Sequence, residues 1–456
     1  MTDVTSTPPR PVGGSAAPRA RKSLLVQDAR TKRRNAAERR FRAYGVAAIA
    51  TAILALVFLL FTIIRDGSTA FVQTYATIPV TIEASVVDPQ GTRDPAAMSK
   101  VLTTSYGKLL ENSLRGFVET NGIAIPDLAD KDLAGFFSAQ ARADLRQAVL
   151  ADPGLVGSVI EVPALTSSRV DGMFKGRVSR ESAAGDARTS VAQFDLAEAL
   201  KARGELETRF NPSFITGTDS SDNRAEAAGL GIAILGSFYM MLIVLVLSLP
   251  IGVAASIYLE EFAPQNRLTD LIEVNIANLA AVPSIVFGIL GLAIFINLVG
   301  LPRSAPIVGG LVLTLMTLPT IIISTRAALK AVPPSIRDAA LGVGASRMQT
   351  VFHHVVPLAM PGILTGTIIG LAQALGETAP LLLIGMVAFV ANYPSAPPQG
   401  LFEPASALPV QVYNWTQRAD PAFFERASGA IIVLLVFLLA MNLLAIYLRR
   451  RFERRW

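Results

Sequence analysis

The sequence predicts an all-α bundle of six membrane-spanning helices with a water-soluble α+β domain inserted after the first span. Three observations predict it: six long apolar runs, a polar stretch of roughly 160 residues between the first two, and clusters of Lys and Arg at both ends. With 51% hydrophobic residues against 17% charged and a mean hydropathy of +0.46, the apolar side chains exceed what a soluble fold buries. The excess is assigned to lipid.

Residues 1–43 form a basic tail. Met1 to Arg42 carries eleven Lys or Arg against three acids, and Met1 to about Arg30, rich in Pro, Ala and Ser without apolar period, reads as disordered. The chain closes on a second basic segment, 450–456, with Arg449, Arg450, Arg451, Arg454 and Arg455 around it. Because the cations collect at the ends, the net charge of +6 points away from nucleic acid and towards cytoplasmic placement of both termini. The first span is 44–65; its uncharged run Tyr44 to Ile64 exceeds the apolar core of a signal peptide, and Arg65-Asp66 stands where a small-residue cleavage site would be, so it reads as an uncleaved anchor.

Residues 66–226 hold 22 acids and 16 bases, a net of −6 that opposes the tail and assigns this domain to the far side of the membrane. Ile78 to Val86 alternates like a strand, Tyr106 to Val118 and Leu133 to Leu150 carry helical spacing, and Ser158 to Val162 and Arg169 to Val178 are weaker strand candidates. The segment contains no histidine and no glycine-rich phosphate loop. Cysteine is absent throughout, which excludes disulfides and thiolate metal sites, and with only His353 and His354 present the sequence argues against a multi-histidine site; no metal or bound cofactor is expected on this chain.

Residues 227–449 supply five further spans: Leu230 to Ile257, Val274 to Val299, Ile307 to Ile323, Pro357 to Val387 and Ala427 to Leu448. Pro250, Pro283, Pro319, Pro361 and Pro380 interrupt them, each removing a helical hydrogen bond. Threading from a cytoplasmic start puts Glu260 to Asp270 and Ser324 to Val356 inside, and Leu301 to Pro306 and Ala391 to Arg426 outside. The long inner loop holds Arg326, Lys330, Arg337 and Arg347 against Asp338 alone.

Within that loop, residues 333–357 read as a short helix, a glycine break at Gly344, a second helix and a re-entry into the membrane at Pro357. Asp338-Ala339-Ala340 presents a small, weakly polar face that another protein can approach closely. The pattern Asp338-Ala339-Ala340-x3-Gly344-x9-His354-x-Val356-Pro357 resembles the EAA loop of bacterial ABC importer permeases, with Asp, His354 and Val356 where Glu, Ile and Leu are usual. The resemblance implies a MetI-like type I permease fold, in which Asp338, Ala339, Ala340, Gly344 and Pro357 belong to a coupling helix seated on an ATPase. Since this sequence has no G-x4-G-K-[ST] loop, ATP is expected on a partner subunit and the chain is expected not to be an enzyme.

The stretches Leu259 to Gly288, Leu375 to Gly385 (LGETAPLLLIG) and Leu408 to Trp415 resemble phosphate-importer permeases of PstA type, and the 66–226 segment resembles the extra domain found in a subset of them. The resemblance implies a bacterial inner-membrane permease for phosphate. Its partners would be a PstC-like second permease, a PstB-like ATPase dimer and a PstS-like extracytoplasmic phosphate-binding protein. Another oxyanion or small solute as cargo, and a membrane sensor with an extracytoplasmic domain, stay open as alternatives.

Polar residues inside the spans are the substrate-pathway candidates. Glu377 is costly facing lipid, roughly 2.5–3.5 kcal/mol on insertion scales for an acid at mid-span, so it is expected to face the bundle interior. Many members of the family carry an arginine four residues before it, where this chain has Gln373. Asn275, Asn278 and Ser284 on the third span and Thr317 on the fourth form polar stripes whose alternative role is contact between helices. Thr378 follows Glu377, while Arg303 at the outer mouth and Arg326 at the inner end carry positive charge suited to an anion or to anchoring at the interface.

Overall fold

The computed structural model describes residues 29–185, 189–387 and 389–452. The readings of disorder before Arg30 and of the arginines at 454 and 455 lie largely or wholly outside these residues. The chain divides into two units, one ending at Phe61 and the other running from Thr62.

The first helix, α1, runs Ala29–Gly67 and so carries the basic segment and the first span on one continuous rod. At ~1.5 Å per residue it is far longer than the ~30 Å hydrocarbon core.

From Thr62 onward, a helical turn at Ser68–Phe71 leads directly into β1 (Val72–Thr81), the central strand of a three-stranded antiparallel sheet. The following elements are α2 (Thr103–Thr120), α3 (Ala139–Ala151), β2 (Val159–Leu165), α4 (Ser168–Phe174), α5 (Val191–Ala202) and β3 (Leu206–Phe210). The sheet order is β2-β1-β3, with Ile78 opposite Val162 and Thr74 opposite Thr208. Tyr106, Leu109, Leu110 and Leu114 recur on one face of α2 and are fully buried with Ile78, Val80 and Phe136. Ser138 starts α3 by accepting from the Gln140 amide at 2.9 Å.

Two expectations change here, and one strand was not expected. The first strand begins six residues earlier than its alternation indicates and stops at Thr81, because Ala84–Val87 is a helical turn. Arg169 to Val178 forms helix α4 and a turn, since Asp171 and Lys175 at i, i+4 spacing face one way and bind each other at 2.7 Å. Strand β3 has no apolar alternation to announce it; only Leu206 of its five residues is buried.

The membrane part contains α6 (Gly231–Ile257), α7 (Arg267–Ala280), α8 (Ser284–Gly291), α9 (Pro306–Lys330) and α10 (Pro334–Gly342). It continues with α11 (Val356–Gly376), α12 (Ala379–Leu383), α13 (Leu408–Thr416) and α14 (Pro421–Phe452). Among the described residues five helices are long and apolar enough to cross a membrane, and a sixth crossing is available if α7 and α8 with its extension to Leu298 count as one bent span. The bend is 100° at Ala281–Pro283, so Pro283 is a sharp corner rather than a kink. The expected span Pro357 to Val387 is likewise not one helix: α11 ends at Gly376, and the short α12 follows a break at Glu377-Thr378. Around these breaks Met240, Val244, Phe287, Val312, Leu313 and Leu375 form a buried core.

Candidate functional site

The 333–357 loop is built on a charged base. Pro334 at the first position of α10 costs no hydrogen bond there, and Gly344, at φ +91°, turns the chain out of the helix. The amide of Ala345 reaches back to the Ala340 carbonyl at 3.1 Å and that of Gly344 to Leu341 at 3.0 Å. Ser346 and Gln349 then form a reciprocal cap, with the Gln349 amide donating to Ser346 Oγ at 3.2 Å and Ser346 N to Gln349 Oε1 at 2.9 Å. The helix that starts at Arg347 runs without interruption to Gly376 through a π turn at Val351–Val355. Pro357 therefore does not restart the chain. The wider π turn lies just ahead of the ring, whose nitrogen has no hydrogen to donate.

Asp338 and Ala339 are exposed, whereas Ala340 is buried against the bundle. The exposed face that remains is more apolar than the alanine motif suggests: Leu341, Val343, Met348 and Phe352 are all at least 45% exposed, Val343 the most at 86%. Exposed apolar residues this close together mark a surface that contacts lipid or another protein.

Arg337 fixes this loop and was legible in the sequence only as one more inward cation. Its Nη2 donates to Glu261 Oε1 at 2.6 Å and to the Leu329 carbonyl at 3.0 Å, while Nη1 reaches the Val332 carbonyl at 2.8 Å. Glu261 is buried in the π turn Tyr258–Phe262 that ends α6, so one guanidinium joins α10, α9 and α6. The neighbouring Glu260 contacts Arg326 at 3.3 Å and Lys330 at 3.6 Å, and the Arg347 guanidinium lies 5.6 Å from the centre of the Phe262 ring. The signal that could have found this seam is the acidic pair inside LEEF of one inner loop, set against Arg326, Lys330, Arg337 and Arg347 of the next.

The polar candidates do not converge. Arg326 is held by Glu260 and, at 2.5 Å, by Glu273, so its charge is neutralised within the chain rather than offered to an anion. Thr317 is buried and donates to Leu313 and Thr314 carbonyls of its own helix at 3.0 and 3.2 Å. Asn275 donates to Leu271 O at 2.7 Å, and it and Asn278 are exposed on α7 instead of bridging helices of this chain. Ser284, half-buried, opens α8 beyond the corner.

Glu377 and Thr378 occupy the break between α11 and α12, half-buried, with Gln373 exposed one turn before. Glu377 makes no side-chain hydrogen bond or ion pair among the described residues. This break is pressed against the corner of the bent pair: a Cβ on Gly288 would lie 2.7 Å from the Pro380 Cα. Arg303 is exposed beside Gly385, whose carbonyl accepts from Ser304 Oγ at 2.5 Å. Two interrupted spans thus meet at one point of the bundle.

Residues 248–456 match the family of binding-protein-dependent transport system inner membrane components, and residues 28–184 match a domain of unknown function, DUF3333. The chain is 37% identical over 246 residues to a probable ABC transporter permease protein, YqgI, of Bacillus subtilis, covering 52% of this chain and 82% of that protein. It is 30% identical over 224 residues to the phosphate transport system permease protein PstA 1 of Mycobacterium tuberculosis, covering 49% and 71%. The chain belongs to the ABC importer permeases of PstA type. Among solved structures, the MetNI methionine ABC transporter in an inward-facing conformation aligns with 50% of this chain and 95% of its own, at 18% identity and a TM-score of 0.38. As an ABC importer permease, the chain is an integral membrane transport subunit that works with a partner permease, an ATPase and a binding protein. The matched family segment contains the whole 333–357 loop, the Glu261–Arg337 base and both interrupted spans.

Proposed function

We propose that this permease carries phosphate inward across a bacterial inner membrane, with α10 and the turn at Gly344 seated on a PstB-like ATPase whose ATP hydrolysis drives the spans. The observation that carries the reading is the contact of half-buried Arg337 with buried Glu261. It supports a loop fixed to α6 and α9 on one side, while Leu341, Val343 and Met348 stay free for a partner on the other. A push on such a loop is transmitted to two spans at once, because breaking a buried ion pair costs more than moving it whole.

The cargo follows from the named function of the PstA relatives, and selection among anions falls to a PstS-like binding protein on the far side of the membrane. A PstC-like permease completes the pathway against the exposed faces of α7 and α8. Both termini lie in the cytoplasm, in keeping with the cations on α1 and at the end of α14, and the 66–226 domain lies outside. Phosphate uptake under phosphate limitation, compared in cells with and without the chain, tests this. Loss of uptake on deletion is expected; unchanged phosphate uptake alongside loss of another oxyanion's uptake would overturn the cargo.

A further inference from the structure

The 66–226 domain does not hang from the membrane part on linkers. Asp171 and Lys175 of α4 and its turn, Arg177, and Glu425 of α14 form a closed square in which each cation touches each carboxylate. The distances are 2.7 Å for Lys175–Asp171, 2.9 Å for Lys175–Glu425, 3.2 Å for Arg177–Asp171 and 2.6 Å for Arg177–Glu425. The Lys175, Asp171 and Glu425 side chains are each only 4% exposed. Two positive and two negative groups leave the square neutral, and opening it would strand charges that are expensive to bury alone. The other Asp171 oxygen accepts from the Thr74 amide at 3.0 Å, so the square is bolted to the central strand of the sheet.

Two further contacts run parallel to it. The Asp219 carboxylate accepts from Trp415 Nε1 of α13 at 2.9 Å and from Arg418 Nη2 at 2.8 Å. Buried Arg426, on α14, donates to the Ala228 carbonyl at 2.6 Å and to that of Glu226. Apolar packing fills the space between: Phe71, Phe214, Trp415 and Phe423 form a chain of ring contacts 5.1 to 6.4 Å apart. A Cβ on Gly67 would fall 2.6 Å from the Ser428 carbonyl carbon, so the backbone leaving α1 lies directly on α14.

We propose that the 66–226 domain is a clamp that holds α13 and the first turns of α14 to itself as one rigid body, with the Asp171–Lys175–Arg177–Glu425 square as its closure. Its role is mechanical: it supplies a fixed frame against which the interrupted spans at Pro283 and Glu377 move. The inference goes beyond the transport reading and holds whatever the cargo.

The chain lacks native cysteine, so labels can be placed without background. Spin labels at Glu198→Cys on α5 and Phe424→Cys on α14, both exposed positions, report the distance between domain and span by pulsed electron paramagnetic resonance in lipid nanodiscs. The resting chain is expected to give one narrow distance. That distance is expected to stay within about 5 Å, less than one helical turn, on trapping with ATP and vanadate in the complex with co-purified subunits. A broad or multiple distribution in the resting chain overturns the clamp without touching the transport reading, as does a larger shift on trapping. Adding Lys175→Met and Glu425→Leu together, which removes one charge of each sign, is expected to broaden the distribution; a distribution as narrow as before would remove the square from the proposal.

Discussion

At the scale of single residues, Gly344 and Glu226 make opposite demands. At φ +91° Gly344 sits where a side chain strains the backbone, yet a Cβ there would meet nothing within 4 Å, so only the backbone objects. Gly344→Val is expected to cost about 1–2 kcal/mol locally and to abolish co-purification of the ATPase while membrane insertion persists. Gly344→Asn should retain more of it, since Asn tolerates left-handed geometry; equal co-purification by the two variants would show that the turn is not what the partner reads. Glu226 is buried and accepts from Ser138 Oγ, and burial raises its carboxyl above the usual range despite that bond and nearby Arg426. A raised acid favours the protonated form in the folded state, so its contribution to stability is full below the ordinary glutamate range and is lost as pH rises through the raised value. Glu226→Gln keeps an acceptor without the charge. Its melting temperature should therefore gain on the parent's as pH climbs from about 4 to about 8, and a pH-independent difference would refute the assignment.

Among elements, the seam beneath α10 separates strong from weak contacts. Arg337→Gln leaves buried Glu261 without its cation and is expected to cost about 3–5 kcal/mol and to uncouple ATP hydrolysis from uptake. Lys330→Ala, with a side chain 60% exposed at 3.6 Å from Glu260, should cost under about 1 kcal/mol. Comparable losses in thermal stability for the two would contradict the seam. The spans themselves were legible because a run of about 20 apolar residues has few alternatives. The corner at Pro283 was not: a proline in an apolar run reads as a kink, and the 100° bend goes with the packing of Gly288 on Pro380, a residue 92 positions away. The short helix and glycine turn of the 333–357 loop were readable from the sequence, but its base was not, since Glu261 and Arg337 lie in different loops. Arg326 looked free for the same reason.

For the whole molecule, the boundary at Glu226 marks a change of composition rather than a mechanical division. Removing residues 66–226 would deprive Glu425 of both cations and Arg426 of the Glu226 carbonyl it donates to. A deletion variant is expected to lose most of its stably inserted chain, and Glu425→Leu with Arg426→Leu in the same deletion should recover it, because unpaired charges rather than lost packing dominate the penalty. Equal yields with and without the two substitutions would refute this. Transport by the recovered chain then measures what the clamp adds to function.

The closure between Lys175 and Glu425 spans 250 positions of sequence. At ~5–20 residues per second, a ribosome needs roughly 12–50 s to travel from one to the other. For that interval the domain holds three of the four groups of its square with the place of Glu425 open, and nothing made so far can complete it. The last long helix to be made is the one that closes the first folded domain, so a chain released before α14 keeps an open, charged notch that a finished one does not.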